Sequence, residues 1–317
     1  MPRDPYLHEL SEFTELLQII ADEKGITTQL VEKDYWIMHC LYSLTQQGFN
    51  FELKGGTSLS KGYGIIHRFS EDIDIRIDPT KAPFNVSVGK NQMKPAHITS
   101  RMKFYDWLVS EISIDGITTV TRDNSFDDER YRSGGIRLIY NASFDNLGSL
   151  KEGVLLEVGF DDTTPNQSVT ISSWAYDKAS ISSIKAHCNQ AIDIKCYHPG
   201  YTFVEKLQAV STKFRKQQES GDLPTNFLRH YYDISQLLDH PDVQSFIGTP
   251  EYTKRKQERF RKGDNQNIAE NEAFLLNNNK TRELYNKEFI TTAPLYYEDQ
   301  PSFEKIITKI KSIIAQL

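Results

Sequence analysis

Residues 55–77 read GGTSLSKGYGIIHRFSEDIDIRI, and this stretch decides the interpretation of the fold. A short apolar strand is predicted just before it, over Phe51–Lys54, and a helix is predicted over 57–66. Polar and apolar residues then alternate over Asp72–Ile77, which is typical of a strand with one buried face. The stretch therefore predicts strand, glycine turn, helix and strand in immediate succession.

The glycine turn has the composition of a phosphate-binding loop. Gly55 and Gly56 allow the backbone to approach a ligand closely, and the helix that follows presents free N–H groups and a favourable dipole. Thr57 and Ser58 add hydroxyl donors, and Lys61 adds a positive charge. The spacing differs from that of a Walker A loop. An ordinary tight turn with a helix cap is the alternative interpretation of these residues.

Two aspartates lie two positions apart on the strand that follows. Residues i and i+2 of a strand face the same side, so Asp72 and Asp74 are predicted to point together. Paired carboxylates are hard oxygen ligands suited to Mg²⁺, which also takes oxygens from substrate phosphates. Taken alone, the pair is more typical of a solvated strand face.

Composition and charge exclude several classes of protein. The chain has 317 residues, of which 38% are hydrophobic and 25% are charged, as in ordinary globular proteins. Its formal net charge of −6 disfavours a protein that coats long stretches of nucleic acid. No membrane span and no secretory signal are recognisable, so a cytoplasmic location is expected. The three cysteines, Cys40, Cys188 and Cys196, form no CxxC pair, which argues against disulfides and thiolate zinc sites.

The wider pattern predicts an α+β protein with a boundary near residue 197. N-terminal helices and a sheet region occupy 1–196, and an almost wholly helical lobe occupies 197–317. The remaining assignments are helices over 7–22, 28–47, 97–112, 178–189, 201–218, 226–239, 249–262 and 301–316, strands over 117–121, 135–141, 154–160, 168–171 and 191–196, and a loop over 276–282.

Five stretches in a fixed order resemble one protein family. Gly55–Tyr63 and Arg68–Asp74 look like the AbiEii toxin family, which includes the MenT-type toxins. Val31–Trp36, His198–Ala209 and Arg229–Asp233 resemble its N-terminal helix, lysine motif and late aspartate motif. The resemblance implies a DNA polymerase β-like nucleotidyltransferase core, a mixed sheet flanked by helices, with N-terminal helices and a helical C-terminal lobe.

The resemblance also implies roles for individual acids. Asp72 and Asp74 would hold one or two Mg²⁺ ions and be catalytic. A third carboxylate is usual in polymerase-type sites, and Glu157, in the apolar segment VLLEVG, is the candidate third metal ligand and catalytic acid. Asp193, in AIDI, is the competing candidate. Glu157 could equally reach solvent and have no such role.

Other residues are expected around the nucleotide. Lys206 would contact phosphates and take part in catalysis, and Asp233 would be the fourth-motif acid needed for activity, orienting Lys206. The residues expected to bind the nucleotide are Gly55, Gly56, Thr57, Ser58, Lys61, Ser70 and Lys206.

The function that follows is Mg²⁺-dependent transfer of a nucleoside monophosphate from an NTP to an acceptor, with the tRNA 3′ end as the expected acceptor. The resemblance places this activity in a type IV toxin–antitoxin or abortive infection system, with a cognate AbiEi-like antitoxin as partner. Two alternatives stay open: an acceptor hydroxyl on a protein or small molecule, and a nucleotide-binding regulator without turnover.

Overall fold

A seven-stranded mixed sheet organises the first part of the chain. The computed structural model describes residues 3–145, 150–224 and 226–317. The strands are β1 Phe51–Lys54, β2 Asp72–Ile77, β3 Ile117–Asp123, β4 Ser133–Tyr140, β5 Val154–Gly159, β6 Asn166–Ile171 and β7 Ala191–Tyr197.

The strand order is β3-β4-β5-β2-β1-β7-β6, which puts β2 in the centre. β2 pairs antiparallel with β1 and parallel with β5, while β1 pairs parallel with β7. The remaining neighbours, β3 with β4, β4 with β5 and β6 with β7, are antiparallel. The mixed sheet and the α+β class agree with the expectation from sequence.

The central strands form because their side chains are apolar on the buried face. In β2, Ile73, Ile75 and Ile77 are buried, while the intervening polar residues are half-buried. In β5 every residue is buried except Glu157, as expected for a strand covered on both sides. The polar positions of these two strands therefore define one face on which chemistry can take place.

Over the described part of the chain, five helices accompany the sheet. The second of them is buried along most of its length, including Tyr35, Trp36 and Leu41, and it contacts β5 and β7. Burying a helix on nearly all sides makes it part of the core rather than a surface layer. The helices are α1 Phe13–Lys24, α2 Thr28–Gln46, α3 Gly55–Thr57, which continues as a π-helical turn over Ser58–Gly62, α4 Pro95–Glu111 and α5 Trp174–Ser180.

The chain divides into two compact units. The first comprises Met1–Tyr63 and Phe69–Tyr197, and the second comprises Gly64–Arg68 and His198–Leu317. Within the described ranges, no helix is long and apolar enough to cross a membrane. The helices of the second unit are α6 Pro199–Ser220, α7 Arg229–Leu237, α8 Pro241–Phe246, α9 Pro250–Arg259, α10 Glu272–Leu275, α11 Asn279–Ile290 and α12 Phe303–Ile313.

Three local predictions from sequence are wrong. The helix predicted over 57–66 is shorter in the structure. Its π-helical turn ends at Gly62, and residues 64–68 belong to the second unit. The helix predicted over 178–189 instead spans Trp174–Ser180, with Ser173 capping its first turn. The loop predicted over 276–282 contains the start of α11, where Asn278 accepts from the amide of Thr281.

Candidate active site

The turn after β1 makes room for a carboxylate. Gly55 has a φ of +72°, and a Cβ at this position would lie 2.0 Å from Oδ2 of Asp74. Asp74 is the partner of Lys54 in the antiparallel pairing of β1 with β2. Glycine is therefore required here for two reasons, the left-handed backbone and the close approach of the Asp74 side chain.

Three acids occupy neighbouring positions on β2 and β5. Asp72 and Asp74 are both half-buried on the polar face of β2. Glu157 pairs with Asp74 across the parallel ladder of the two strands. Side chains at paired positions of adjacent strands face the same side, so the sheet brings Glu157 beside the two aspartates.

Burial and the neighbouring negative charges raise the pKa of Glu157. Burial, followed by repulsion from Asp74, raises this pKa to about 7, and Lys54 partly opposes the shift. Like charges held close together resist simultaneous ionisation. A cation bound beside Asp74 and Glu157 would relieve the repulsion, so this face of the sheet is electrostatically suited to one.

Lys151 supplies one positive charge at this face. Its Nζ lies 3.4 Å from both carboxylate oxygens of Asp72. The backbone of Lys151 is fixed by two side chains: its amide donates to Glu71, and its carbonyl accepts from the buried ammonium of Lys33. The segment that carries Lys151 is thus anchored beside the start of β2.

The hydroxyl and ammonium groups of the glycine turn have partners within the first unit. Thr57 donates its hydroxyl to the carbonyl of Asp72 at 2.6 Å, and Ser58 is fully buried. Lys61 forms an ion pair of 2.8 Å with Asp34 and lies over the ring of Trp174. These contacts join α3 to β2 and to α2. Gly56 is buried in the turn, and Ser70 is half-buried just before β2.

The carboxylates of this face have the hard oxygen atoms that Mg²⁺ prefers as ligands. In residues 3–145, 150–224 and 226–317, no three or more His, Cys, Asp and Glu side chains are grouped to hold a metal ion. Magnesium is ordinarily held by one or two carboxylates together with substrate phosphates rather than by a protein cage. The hard oxygens of Asp72, Asp74 and Glu157 fit that type of binding.

Asp193 occupies a different place in the sheet. It lies on β7, which β1 separates from β2. Its side chain is exposed, and its backbone has a φ of +58° next to a register irregularity in the pairing of β6 with β7. The competing candidate is therefore not a strand neighbour of Asp72 and Asp74.

A buried ion triad lies in the second unit. Asp233 is fully buried and accepts from Nε and an Nη of Arg68, each at 2.7 Å, and from Nζ of Lys206 at 2.8 Å. Burial alone would raise the pKa of Asp233, but the two cations hold it well below its usual range. Asp233 therefore remains ionised and fixes the Lys206 ammonium in position.

Arg68 is the member of this triad to which sequence reasoning gave no role. Its position inside the motif that precedes Asp74 is the only signal, and its partner is distant in sequence. The backbone of the adjacent residue, His67, is held by the Tyr232 hydroxyl and the Tyr297 amide. These contacts place the Arg68 guanidinium against Asp233.

Comparison with known proteins supplies the family. The family model described as "Nucleotidyl transferase AbiEii toxin, Type IV TA system" matches residues 36–309, most of the chain. The chain belongs to the AbiEii nucleotidyltransferase toxin family. The match includes both units and begins at Trp36, the last residue of the N-terminal stretch that resembles the family. No curated protein matches the sequence.

Two solved structures are similar to this AbiEii-family protein at low sequence identity. The nucleotidyltransferase toxin MenT4 from Mycobacterium tuberculosis H37Rv is 14% identical, with 94% of this chain and 98% of that chain covered and a TM-score of 0.40. An antigenic nucleotidyltransferase-like protein from Paracoccidioides brasiliensis is 12% identical, with 74% and 95% covered and a TM-score of 0.34. Family membership makes the protein a nucleotidyltransferase, and the AbiEii resemblance inferred from sequence is confirmed.

Proposed function

We propose that this protein transfers a nucleoside monophosphate from an NTP to an acceptor hydroxyl, in a Mg²⁺-dependent reaction. The observation that carries the proposal is the pairing of Asp74 with Glu157, beside Asp72 and against the Gly55 turn. A face with three acids next to a glycine turn, in a chain of the AbiEii nucleotidyltransferase toxin family, supports phosphoryl-transfer chemistry.

The magnesium ions would be held by Asp72 and Asp74, with Glu157 as the third acid. Bound Mg²⁺ would supply Lewis acidity, lowering the pKa of the acceptor hydroxyl and stabilising the departing pyrophosphate. The two strands keep the carboxylates in fixed relative positions, so little reorganisation is needed when substrate binds. Lys151 already neutralises part of the charge on Asp72.

The triphosphate would be bound by the glycine turn. Gly55 and Gly56 allow its oxygens to approach the backbone closely, and the hydroxyl of Ser70 is a side-chain donor. Thr57 and Ser58 would contribute by shaping the turn around the triphosphate, since their hydroxyls donate to backbone carbonyls. Lys61 adds a positive charge near the start of the π-helical turn. The bonds of Thr57 and Ser58 to backbone carbonyls keep the turn in one conformation.

In the second unit, Lys206 would contact nucleotide phosphates. Asp233 acts through Lys206 and is a positioning residue, because its carboxylate is fully buried and contacts Lys206 and Arg68. An ammonium fixed by a buried carboxylate can offset charge on the triphosphate as the bond to the leaving group breaks. The pair therefore contributes to transition-state stabilisation without proton transfer.

The proposed acceptor is the 3′ end of tRNA, and a cognate antitoxin of the AbiEi type is the proposed partner. The support for both is membership of a type IV toxin–antitoxin family. The net charge of −6 is compatible with an acceptor recognised over a short terminus rather than along its whole length.

The proposal is tested by supplying each labelled NTP with Mg²⁺ together with total tRNA, cell protein and candidate small molecules. Label should appear in tRNA with the natural protein and be lost with Asp72→Asn. Asp78→Asn is the matched control, because Asp78 lies just beyond β2 and caps a short turn, a role that asparagine fills equally well. This control should retain full transfer.

Three other outcomes of this assay would contradict the proposed acceptor, the proposed catalysis or the proposed role of the carboxylates. Label found only in protein or in a small molecule would reject tRNA as the acceptor while keeping the chemistry. Tight NTP binding without transfer to any acceptor would reject catalysis and favour the nucleotide-binding regulator. Equal activity of the Asp72→Asn and natural proteins would reject the assignment of the β2 carboxylates.

A further inference from the structure

A group of cationic side chains in the second unit extends beyond the Lys206–Asp233 pair. Lys213 lies seven residues after Lys206 on α6, which is about two helical turns, or about 10.5 Å along the axis. Arg229 and His230 are the first residues of α7, which packs against α6. The two helices together place these positive groups in one region.

Lys213 makes no hydrogen bond or ion pair with any residue that the structure describes. Burial, followed by repulsion from Arg229 and Lys206, lowers its pKa to about 8. No acid is among the groups that act on it. A half-buried ammonium without a counter-charge costs stability, so it indicates a position kept for an anion.

His230 adds an unused polar atom to the same region. Its Nδ1 is buried and has no hydrogen-bond partner among the described residues. Burial, Lys206 and Lys213 hold the pKa of His230 well below its usual range, so the ring is neutral. A neutral imidazole can still donate one N–H bond to an anion.

The acid in this region cannot supply the missing charge. Asp233 is already engaged by Arg68 and Lys206, with contacts of 2.7 to 2.8 Å to both of its oxygens. Arg68 and Lys206 thus share the charge of this carboxylate, and the ammonium of Lys213 has no counter-charge among the described residues. The excess positive charge is complementary to a multiply charged anion such as a phosphate.

We propose that Lys213, Arg229 and His230 form a subsite that binds a phosphate group next to the Lys206–Asp233 pair. The phosphate has two sources in the proposed reaction, the terminal phosphates of the NTP and the backbone of a polynucleotide acceptor. The identity of these two ligands rests on the proposed function. The arrangement of charged side chains is present whether or not the protein catalyses transfer.

The test measures binding rather than transfer. Calorimetry with the full chain should use three probes: inorganic tripolyphosphate, an NTP, and a short single-stranded RNA. Lys213→Met keeps the aliphatic stem and removes the charge, so binding of the phosphate-bearing ligand should weaken about 10-fold or more. Lys213→Arg should restore most of the affinity.

Two controls separate a binding role from a structural one. Lys216→Met removes an exposed lysine from the same helix and should change neither binding nor stability. The thermal unfolding midpoint of ligand-free Lys213→Met should be equal to or above that of the natural protein, since an uncompensated charge has been removed. A lower midpoint together with unchanged binding would identify Lys213 as structural and overturn the proposal.

The probes also identify the source of the phosphate. Weaker binding of tripolyphosphate and NTP alone assigns the subsite to the nucleotide, whereas weaker binding of RNA alone assigns it to the acceptor. Unchanged binding of all three probes overturns the subsite even if transfer is observed. If binding depends on Lys213 but no nucleotide transfer is detected, the subsite is supported and the proposed function is rejected.

Discussion

At the scale of single residues, Glu157 and Asp193 are distinguished by their strand neighbours. Both are acids flanked by apolar residues, and the sequence offers no means of choosing between them. Glu157 pairs with Asp74 across β2 and β5, whereas Asp193 is exposed on β7. Proximity in the sheet, not local sequence, therefore favours Glu157 as the third acid.

Glu157→Gln should reduce transfer about 100-fold or more, because one negative charge of the site is lost. For the same reason it should weaken binding of Mn²⁺, used as a spectroscopic substitute for Mg²⁺. Asp193→Asn is the matched control and should leave both unchanged, since asparagine tolerates the left-handed backbone at this position. Rate assays and electron paramagnetic resonance titration measure the two effects. The reverse pattern would assign the third acid to Asp193.

Asp233 is a fully buried acid whose charge is needed by two cations of the second unit. Its replacement by asparagine leaves the buried Arg68 and the Lys206 ammonium without a counter-charge, so unfolding should become easier by about 3–5 kcal/mol. Asp239→Asn removes an exposed partner of Lys309 and should cost less than about 1 kcal/mol. Denaturant titration distinguishes the two variants, and equal losses would contradict the buried triad.

The contribution of Asp233 also has a defined pH dependence. Its pKa is lowered in the folded protein, so its contribution is fully present above the unfolded-state value of about 3.9 and declines as the pH falls below it. The difference in unfolding free energy between the natural protein and Asp233→Asn should stay constant above about pH 5 and shrink below about 3.9. A difference that grows on acidification would contradict this sign.

At the scale of elements, the turn between β1 and α3 controls the position of the Asp74 carboxylate, a proposed metal ligand. Gly55→Ala places a methyl group 2.0 Å from Oδ2 of Asp74. Gly48 has almost the same φ, +74°, but a methyl group added there by Gly48→Ala would have no atom within 4 Å. Both variants should lose about 1–2 kcal/mol from backbone strain.

Only Gly55→Ala should also lose transfer activity, because only there must the Asp74 side chain move. Unfolding curves and transfer rates of the two variants test this directly. If Gly48→Ala lost as much activity as Gly55→Ala, backbone strain alone would explain the effect. If Gly55→Ala were fully active, the position of Asp74 would not depend on the glycine.

At the scale of the whole molecule, folding and metal binding should be separable. Over the described residues no acid, histidine or cysteine group forms a metal cage, so chelation should leave the thermal unfolding midpoint of the free protein unchanged. The same chelation should abolish transfer and weaken NTP binding. A marked fall of the midpoint with EDTA, in the absence of NTP, would reveal a structural metal.

The sequence by itself determined the elements whose signal is local. β1 and β2 were predicted with the bounds that the structure shows, because a period of two and the flanking glycines are read directly from neighbouring residues. The AbiEii family and the α+β class followed from ordered motifs and are confirmed. The roles of Asp72, Asp74, Lys206 and Asp233 remain predictions.

The tertiary structure decided what depends on distant partners. The pairing of Glu157 with Asp74 joins strands 83 positions apart, and the bond of Arg68 to Asp233 spans 165. No local pattern encodes such contacts, because they arise when separate elements are brought together by burial of their apolar faces. The end of the helical turn at Gly62 likewise depends on distant partners, because residues 64–68 belong to the second unit.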